Sequence, residues 1–297
     1  MGRRHPLLER LTPGASGPPL VLDGAQGTAL LDARPSALPP LPVDLLNLED
    51  PDRVIGLHRA HLAAGAQVLR TNTFNACERA LGGRGVGAGS SAVAEAGARA
   101  ARVAAREAGV DPLILGVVGP GEGADGEDRG RLEGLLRGGV HGVLVETLGR
   151  PDQARGILGS VRDVDARVPL LVSFTPPKGG PRGGLPALDG VVDAAEDFEV
   201  TLLGLNCGHG PEDLERTLAP LRARWGGALG AWPNAGLPVR EGRAWRWPVG
   251  PDELGRWCAE AARRHGLRLV GGCCGTSGGH VAAVARALDQ SGGTTRD

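Results

Sequence analysis

The sequence predicts a single α/β domain of the (β/α)8 class, a TIM barrel that spans residues 1–297. Three observations predict this fold. The chain has 297 residues, which is close to the roughly 250 residues typical of such a barrel. Short, mostly apolar runs recur along it, as expected of strands buried on both faces of a parallel sheet. Segments of helical composition separate these runs.

Eight candidate strands carry the first of these patterns. They lie at residues 20–22, 67–71, 113–118, 142–146, 169–174, 201–205, 228–232 and 268–271. Each is short and bounded by turn-forming residues, so an alternating barrel is favoured over its alternative, a doubly wound open sheet.

Helices are predicted between the strands, at residues 92–108, 211–224, 251–265 and 280–288. Two of them begin at a proline, Pro211 and Pro251, and carry acidic residues early and basic residues late. This order suits the first helical turn and the helix dipole.

Two proline-rich segments interrupt the alternation. Residues 33–46 are predicted to form a long loop over the barrel mouth, and residues 176–186 a mobile flap after the fifth strand. The segments 82–90 and 119–130 are short and glycine-rich, and would also border the mouth.

The composition excludes several classes of partner. The formal net charge is −1, and without a basic block there is no electrostatic reason to expect nucleic acid or an anionic membrane. No apolar run approaches the roughly 20 residues that span a bilayer. The N-terminus lacks the apolar stretch of a secretory signal. Five cysteines are an odd number, which favours reduced thiols and a cytoplasmic location over a disulfide framework.

Three cysteines follow strand ends. Cys207 comes after the sixth predicted strand, and Cys273 and Cys274 come after the eighth. Because all strand ends of a barrel face one mouth, these thiols are predicted to converge there. Three thiolates suit Zn²⁺ and leave a fourth position for substrate, as in catalytic zinc sites. Cys77 and Cys258, on predicted helical segments, are interpreted as small buried apolar side chains.

Two other readings of these residues stay open. The glycine-rich stretch 271–279 precedes a helix and could hold a phosphate, giving a phosphate-binding barrel enzyme without a metal. The cysteines could instead form a closed zinc site in a scaffold or thiol carrier, with a fourth protein ligand such as His209. Adjacent cysteines are also unusual among zinc ligands, because the common spacing places two residues between them.

Six motifs occur in a fixed order along the chain. They lie at 22–28, 71–75, 145–147, 204–207, 233–236 and 271–276. The most specific pair is Gly-Leu-Asn-Cys, which ends at Cys207, and Gly-Gly-Cys-Cys-Gly-Thr, which contains Cys273 and Cys274. Together the motifs resemble the homocysteine S-methyltransferase family over roughly residues 20–288. That family includes betaine–homocysteine methyltransferases, S-methylmethionine-dependent enzymes and the homocysteine-binding module of cobalamin-dependent methionine synthase.

The resemblance implies an enzyme that methylates homocysteine to methionine, with Zn²⁺ bound by Cys207, Cys273 and Cys274. It implies that the carboxylates of Asp23 and Glu146 receive the amino group of homocysteine. It implies that the backbone amides of the segment from Gly24 to Thr28 bind the substrate carboxylate. It also implies that the side-chain oxygen of Asn234 fills the fourth metal position before the thiol arrives. Thr73 and Asn206 are implied to shape the pocket.

The expected chemistry is an in-line displacement by sulfur on a methyl carbon. A free thiol has a pKa near 8.5, and zinc binding converts it to the nucleophilic thiolate. The candidate donors are S-methylmethionine, S-adenosylmethionine, betaine and methylfolate. Since no folate or cobalamin module is expected after the eighth helix, a separate cobalamin protein is the alternative source of the methyl group.

Three tryptophans lie near the seventh strand. Trp232, Trp245 and Trp247 could surround a cationic donor as an aromatic cage. The alternative interpretation is that they pack a loop or form the face of a homo-oligomer.

Overall fold

The computed structural model describes residues 5–31, 42–82, 89–120, 129–176, 185–242 and 244–292. Most of the predicted mouth loop and flap, and most of the two short glycine-rich segments, lie outside these residues. Within them, none of the helices combines the length and the apolar composition needed to cross a bilayer.

Eight parallel strands form one sheet, and their positions confirm the eight predicted runs. They are β1 (Leu20–Val21), β2 (Val68–Arg70), β3 (Leu113–Val118), β4 (Gly142–Leu148), β5 (Leu170–Phe174), β6 (Leu202–Cys207), β7 (Ala228–Pro233) and β10 (Leu267–Val270). The sheet order is β1-β10-β7-β6-β5-β4-β3-β2. A parallel bridge between Leu22 and Val68 joins its two edges. The sheet is therefore a barrel, and the open-sheet alternative is wrong.

Helices and one hairpin surround the barrel. The helices are α1 (Pro6–Glu9), α2 (Gly27–Leu31), α3 (Leu46–Glu49), α4 (Pro51–Ala63), α5 (Glu78–Gly82), α6 (Ser90–Ala108), α7 (Arg129–Gly138), α8 (Pro151–Val164), α9 (Leu185–Asp197), α10 (Pro211–Arg224), α11 (Pro251–His265) and α12 (Gly278–Gly292), with a 3₁₀ turn at Val43–Leu45. Strands β8 (Val239–Glu241) and β9 (Ala244–Arg246) pair antiparallel between β7 and α11.

Two details correct the predictions. The end of the predicted mouth loop is helical, because the 3₁₀ turn and the start of α3 occupy residues 43–46. Cys77 lies just before α5 rather than within a helix, and it is only half-buried. Cys258 does lie on α11 and is buried there, as predicted.

The core has two layers, as the alternation of side chains along barrel strands requires. Residues such as Leu115, Leu144 and Leu202 fill the barrel interior, while their neighbours in sequence pack against the helices. Leu8 and Leu11, on and after α1, join the interior cluster. They close the end of the barrel at which the strands begin, since Arg268, at the start of β10, donates to the carbonyl of Arg10 at 3.0 Å.

Trp232 is the largest side chain inside the barrel and is fully buried. Two glycines leave the space that its ring occupies. A Cβ atom on Gly204 would lie 2.6 Å from Trp232 Cη2, and one on Gly230 would lie 3.0 Å from Trp232 Cζ3. The first distance is far inside van der Waals contact, so Gly204 is required for the ring to reach the interior, while the contact at Gly230 is tight.

Candidate metal centre and substrate pocket

Three thiols meet at the end of the barrel where the strands finish. Cys207 is the last residue of β6, and Cys273 and Cys274 follow β10. The Sγ atoms of Cys207 and Cys273 are 3.3 Å apart, and all three sulfurs lie within 4.8 Å of one another. We call these residues the thiol cluster. Among the described residues, it is the one group of at least three His, Cys, Asp or Glu side chains whose ligand atoms are close enough to share a metal ion.

The protonation of the thiol cluster favours a single negative charge. Hydrogen bonds from the other two thiols lower the pKa of Cys274. The hydrogen bond to Cys273, the one to Cys274 and burial raise the pKa of Cys207 well above its ordinary value. Three thiolates at this spacing repel one another, and a divalent cation between them removes that repulsion. The donor set therefore fits a thiophilic metal ion.

Asn234 connects the two segments that carry the thiols. Its Oδ1 accepts a hydrogen bond from the amide of Cys274 at 3.0 Å, and its Nδ2 donates to the carbonyl of Gly208 at 2.7 Å. Its side-chain oxygen is thus engaged by the backbone rather than offered to a metal. This geometry assigns Asn234 to positioning the thiols, and its expected place as a fourth metal ligand stays a prediction.

His209 does not complete the thiol cluster either. Its side chain is 55% exposed, and its Nδ1 lies 3.2 Å from Asp213 Oδ2. Among the described residues the group that could hold a metal contains only the three cysteines. The closed-scaffold alternative thus lacks the fourth protein ligand that it required.

The glycine-rich segment after β10 has internal partners for its amides. The amides of residues 273 to 277 donate, in order, to Pro233 O at 2.7 Å, Asn234 Oδ1 at 3.0 Å, Thr28 Oγ1 at 3.0 Å, Cys273 O at 3.2 Å and His280 Nδ1 at 3.1 Å. A phosphate cradle needs amides that point at the ligand. The amides of residues 273 to 277 are therefore not available to a phosphate.

A cavity of about 300 Å³ opens beside the thiol cluster. Of the predicted site residues it contacts Thr28, Thr73 and Glu146 as well as the three cysteines. Asp23, Gly24, Asn206 and Asn234 are not part of its lining. The predicted residues therefore separate into a set that reaches the cavity and a set that lies behind it.

Asp23 lies behind the cavity and has no exposed side-chain surface. Its Oδ1 accepts from Arg70 Nε at 2.7 Å. Its Oδ2 accepts from the backbone amide of Arg70 at 2.9 Å and from Gln26 Nε2 at 3.2 Å. Both carboxylate oxygens are thus already bound by protein donors.

Glu146 lies at the base of the cavity. Its Oε1 accepts from Arg70 Nη1 at 2.7 Å and from Trp232 Nε1 at 2.6 Å. Burial raises the pKa of Glu146, although the Arg70 guanidinium lowers it in part. Within the described part of the chain, the hydrogen bonds of Glu146 fall on Oε1, which leaves Oε2 for a ligand in the cavity.

Arg70 connects these two acids, and the sequence analysis did not select it. It ends β2, and only 6% of its side chain is exposed. Its Nη2 also donates to the carbonyls of Gly24 and Gly272, at 2.9 and 2.8 Å. Burial alone would lower the pKa of Arg70, but the two carboxylates outweigh burial and raise it. The available signal was an arginine at the mouth end of an otherwise apolar strand. We call Asp23, Arg70 and Glu146 the floor triad.

Asn206, behind the cavity, and Thr73, in its lining, hydrogen-bond to residues of neighbouring strands. Asn206 accepts from Ser173 Oγ at 3.0 Å and donates to Thr147 Oγ1 at 2.7 Å. The hydroxyl of Thr73 donates to Val117 O at 2.7 Å. Thr147 and Cys207 both have positive φ, 66° and 62°, a conformation that costs about 1 kcal/mol in a non-glycine residue. Backbone strain of this kind concentrates at functional sites.

The three tryptophans do not form a cage around the cavity. Trp232 is inside the barrel, and Trp245 on β9 is 63% exposed. Trp247 packs against Gly275, where a Cβ atom would lie 2.0 Å from the Trp247 ring. Among the described residues that line the cavity, Phe74 is the aromatic one. The loop-packing interpretation holds for Trp247, which braces the segment after Cys274.

The packing of Trp247 gives a testable expectation for Gly275. Gly275→Ala should lower the free energy of unfolding by about 2–4 kcal/mol, because it adds a steric overlap to the strain of a positive φ. The control is Gly242→Ala, which has the same kind of φ but no atom within 4 Å of the new methyl group. It should cost about 1 kcal/mol in urea unfolding. Equal losses would show that Trp247 does not hold this loop.

Asp44, near the cavity, should make the free energy of unfolding depend on pH. It is buried, and its Oδ1 accepts from the amide of Asn75 at 2.8 Å, while Oδ2 has no hydrogen-bond partner among the described residues. Burial raises the pKa of Asp44 from 3.8 to about 6. Because the pKa of Asp44 is higher in the folded than in the unfolded state, protonated Asp44 adds to the free energy of unfolding. This contribution is fully present below about pH 4 and is lost as the pH rises through 6.

Asp44→Asn should therefore gain up to about 3 kcal/mol of unfolding free energy over wild type at pH 7.5, and little near pH 4. Urea unfolding of both proteins in chelator, between pH 4.5 and 7.5, measures this difference. Asp163→Asn, an exposed position on α8, is the control and should change little. A difference between Asp44→Asn and wild type that is the same at every pH would contradict the assignment.

The barrel and the thiol cluster at its mouth define a class of enzyme: a (β/α)8 barrel with a thiol-based centre beside its substrate cavity. The family model of homocysteine S-methyltransferase matches residues 20–288. The chain belongs to the homocysteine S-methyltransferase family.

Two curated relatives are named methionine synthase. The protein from Mycobacterium leprae is 32% identical over 297 aligned residues, which cover 91% of this chain and 24% of the relative. The protein from Mycobacterium tuberculosis is 31% identical over 264 residues, which cover 82% of this chain and 22% of the relative. The chain thus spans about a quarter of the length of these relatives.

Solved structures of the homocysteine methyltransferase MmuM from Escherichia coli share the fold. The oxidised form has a TM-score of 0.72 at 24% identity, covering 90% of this chain and 95% of that one. The metallated form has a TM-score of 0.71 at 22% identity, covering 90% and 96%. These likenesses confirm the barrel architecture.

Proposed function

We propose that this protein transfers a methyl group to the thiol of homocysteine and so forms methionine, with Zn²⁺ held by Cys207, Cys273 and Cys274. The observation that carries the proposal is the set of three sulfurs within 4.8 Å of one another on the wall of a cavity that also contains Glu146. Sulfur-rich, three-ligand sites are typical of catalytic zinc. Family membership supports homocysteine as the acceptor.

Zinc bound there supplies the stabilisation that keeps a substrate thiol in its thiolate form near neutral pH. The protein residues supply binding and orientation. Glu146 offers its free Oε2 to the substrate ammonium, and Gly27 and Thr28 place the first turn of α2 against the cavity for the carboxylate. Asn234 and Asn206 hold the loops and strand ends that carry the cysteines. These contacts orient the sulfur toward an incoming methyl carbon.

The methyl donor is one of S-methylmethionine, S-adenosylmethionine, betaine or methylfolate, and a separate cobalamin protein is the second candidate. The mycobacterial relatives are named methionine synthase, which supports methionine as the product. The reduced thiols support a cytoplasmic location. A homo-oligomer stays a prediction.

The test combines metal analysis with product analysis. Purified protein should hold about one zinc ion per chain, and it should form methionine from homocysteine with at least one donor in that panel or with a methylated cobalamin protein. Stoichiometric zinc without methylation of any thiol would contradict the proposed function and favour a thiol-binding scaffold.

A further inference from the structure

The geometry of the floor triad differs from the expectation that Asp23 and Glu146 both bind the substrate ammonium. Asp23 is completely buried, and three protein donors occupy its two oxygens: Arg70 through Nε and its amide, and Gln26 through Nε2. An ammonium group that enters the cavity would have to displace the guanidinium to reach Asp23. Glu146 differs, because it lines the cavity and its Oε2 accepts no hydrogen bond from the residues that the structure describes.

We propose that Arg70 is a specificity-determining residue, that Asp23 acts only by holding Arg70, and that Glu146 Oε2 is the single carboxylate oxygen offered to the substrate ammonium. This inference rests on the proposed function. It assigns a positioning role to Asp23, which the family resemblance places in direct contact with substrate.

Charge balance gives the physical reason. Two carboxylates and one guanidinium leave the floor triad with one net negative charge, and one ammonium group neutralises it. A charge buried in a protein is stable only when it is paired. Without Arg70, two buried acids would face a single ammonium. Without the Asp23 charge, Arg70 would neutralise Glu146, and the floor triad would present no net negative charge to the ammonium.

Arg70 also joins the floor triad to the thiol cluster. Its Nη2 donates to the carbonyl of Gly272, the residue before Cys273, at 2.8 Å. The same nitrogen donates to Gly24 O at 2.9 Å, next to the segment that lines the cavity at Ala25. The substrate amino group and the sulfur centre are therefore fixed relative to one another through one side chain.

A charge-balanced pair of variants tests the proposal. Homocysteine binding to zinc-loaded protein is measured by calorimetric titration without a methyl donor. Asp23→Asn should weaken the Kd for homocysteine at least about tenfold, since it leaves the triad without net charge. Asp23→Asn/Arg70→Gln restores one negative charge on Glu146, and its Kd should return to within about threefold of wild type.

The probe for the ammonium is 4-mercaptobutyrate, which is homocysteine without its amino group. Wild type and the double variant should both prefer homocysteine, and Asp23→Asn should lose most of that preference. A merely structural role for Asp23 would weaken both ligands equally. A double variant that binds homocysteine as poorly as Asp23→Asn would show that Asp23 contacts the ammonium directly, and would overturn the proposal.

A crystal structure of wild-type, zinc-loaded protein with homocysteine decides the matter if a variant does not fold. The Arg70–Asp23 pair should persist, with the ammonium on Glu146 Oε2. An ammonium bound to Asp23 would overturn the proposal and leave the proposed function intact. Wild-type protein that binds no homocysteine in the titration would overturn both, so the two failures are distinguishable.

Discussion

Cys273→Ala should lose its zinc and at least about a thousandfold of its rate of methionine formation. Cys273 is the most buried member of the thiol cluster, with 8% of its surface exposed, and its Sγ lies 3.3 Å from that of Cys207. The two remaining thiols cannot supply the three protein ligands of a catalytic zinc site. Without the cation, the substrate thiol stays mostly protonated near pH 7.

The matched control is Cys77→Ser, which changes a half-buried cysteine outside the thiol cluster. It should keep zinc and activity close to those of wild type. Metal content by elemental analysis and methionine formation with the donor that supports wild type are the two measurements. A Cys273→Ala protein that retains stoichiometric zinc would show that other residues hold the metal.

The sequence predicted the barrel because its strands are buried on both faces. A run such as 113–118 is apolar throughout, which needs no knowledge of its partners. The convergence of Cys207 with Cys273 and Cys274 was equally predictable, since the fold class brings strand ends to one mouth. Both predictions follow from local composition and a general topological rule.

The floor triad could not be predicted in this way. Asp23 and Arg70 are 47 residues apart, and Arg70 and Glu146 are 76 apart, so their contact depends on the register of neighbouring strands. The resemblance suggested acids that bind substrate, but it did not show that an arginine already lies between them. The hydrogen bond from Trp232 to Glu146 has the same origin, because it needs the space left by Gly204 and Gly230.

The hairpin β8–β9 was missed for another reason. Its strands have three residues each, and the side chains described at 239–241, 245 and 246 are exposed, so no apolar alternation marks them. The tryptophans beside it suggested a cage because they are close in sequence. Closeness in sequence does not show which way each side chain points. In the structure Trp232 points into the barrel and Trp247 packs on Gly275, which leaves Trp245 exposed.

Arg70→Met should lower the free energy of unfolding by about 3–5 kcal/mol at pH 7, because it removes one partner from a buried ion network. Methionine keeps much of the arginine stem in the core, so the loss reports mainly on charge and hydrogen bonds. Asp23, with no exposed side-chain surface, and Glu146 would then be two unpaired buried acids. The carbonyl of Gly272 would also lose its donor.

An arginine-to-methionine substitution in a surface ion pair shows how much of the loss in unfolding free energy depends on burial of the charges. Arg59 and Glu107 lie 3.2 Å apart with 59% and 46% of their side chains exposed, so Arg59→Met should cost less than about 1 kcal/mol. Urea unfolding of both variants, with chelator and with zinc, gives the comparison. The Arg70→Met loss should persist in chelator, since it arises from Asp23 and Glu146 and not from the metal. Equal losses for the two variants would mean that water or a shifted side chain compensates the floor triad, and that Arg70 is not needed to hold its acids in place.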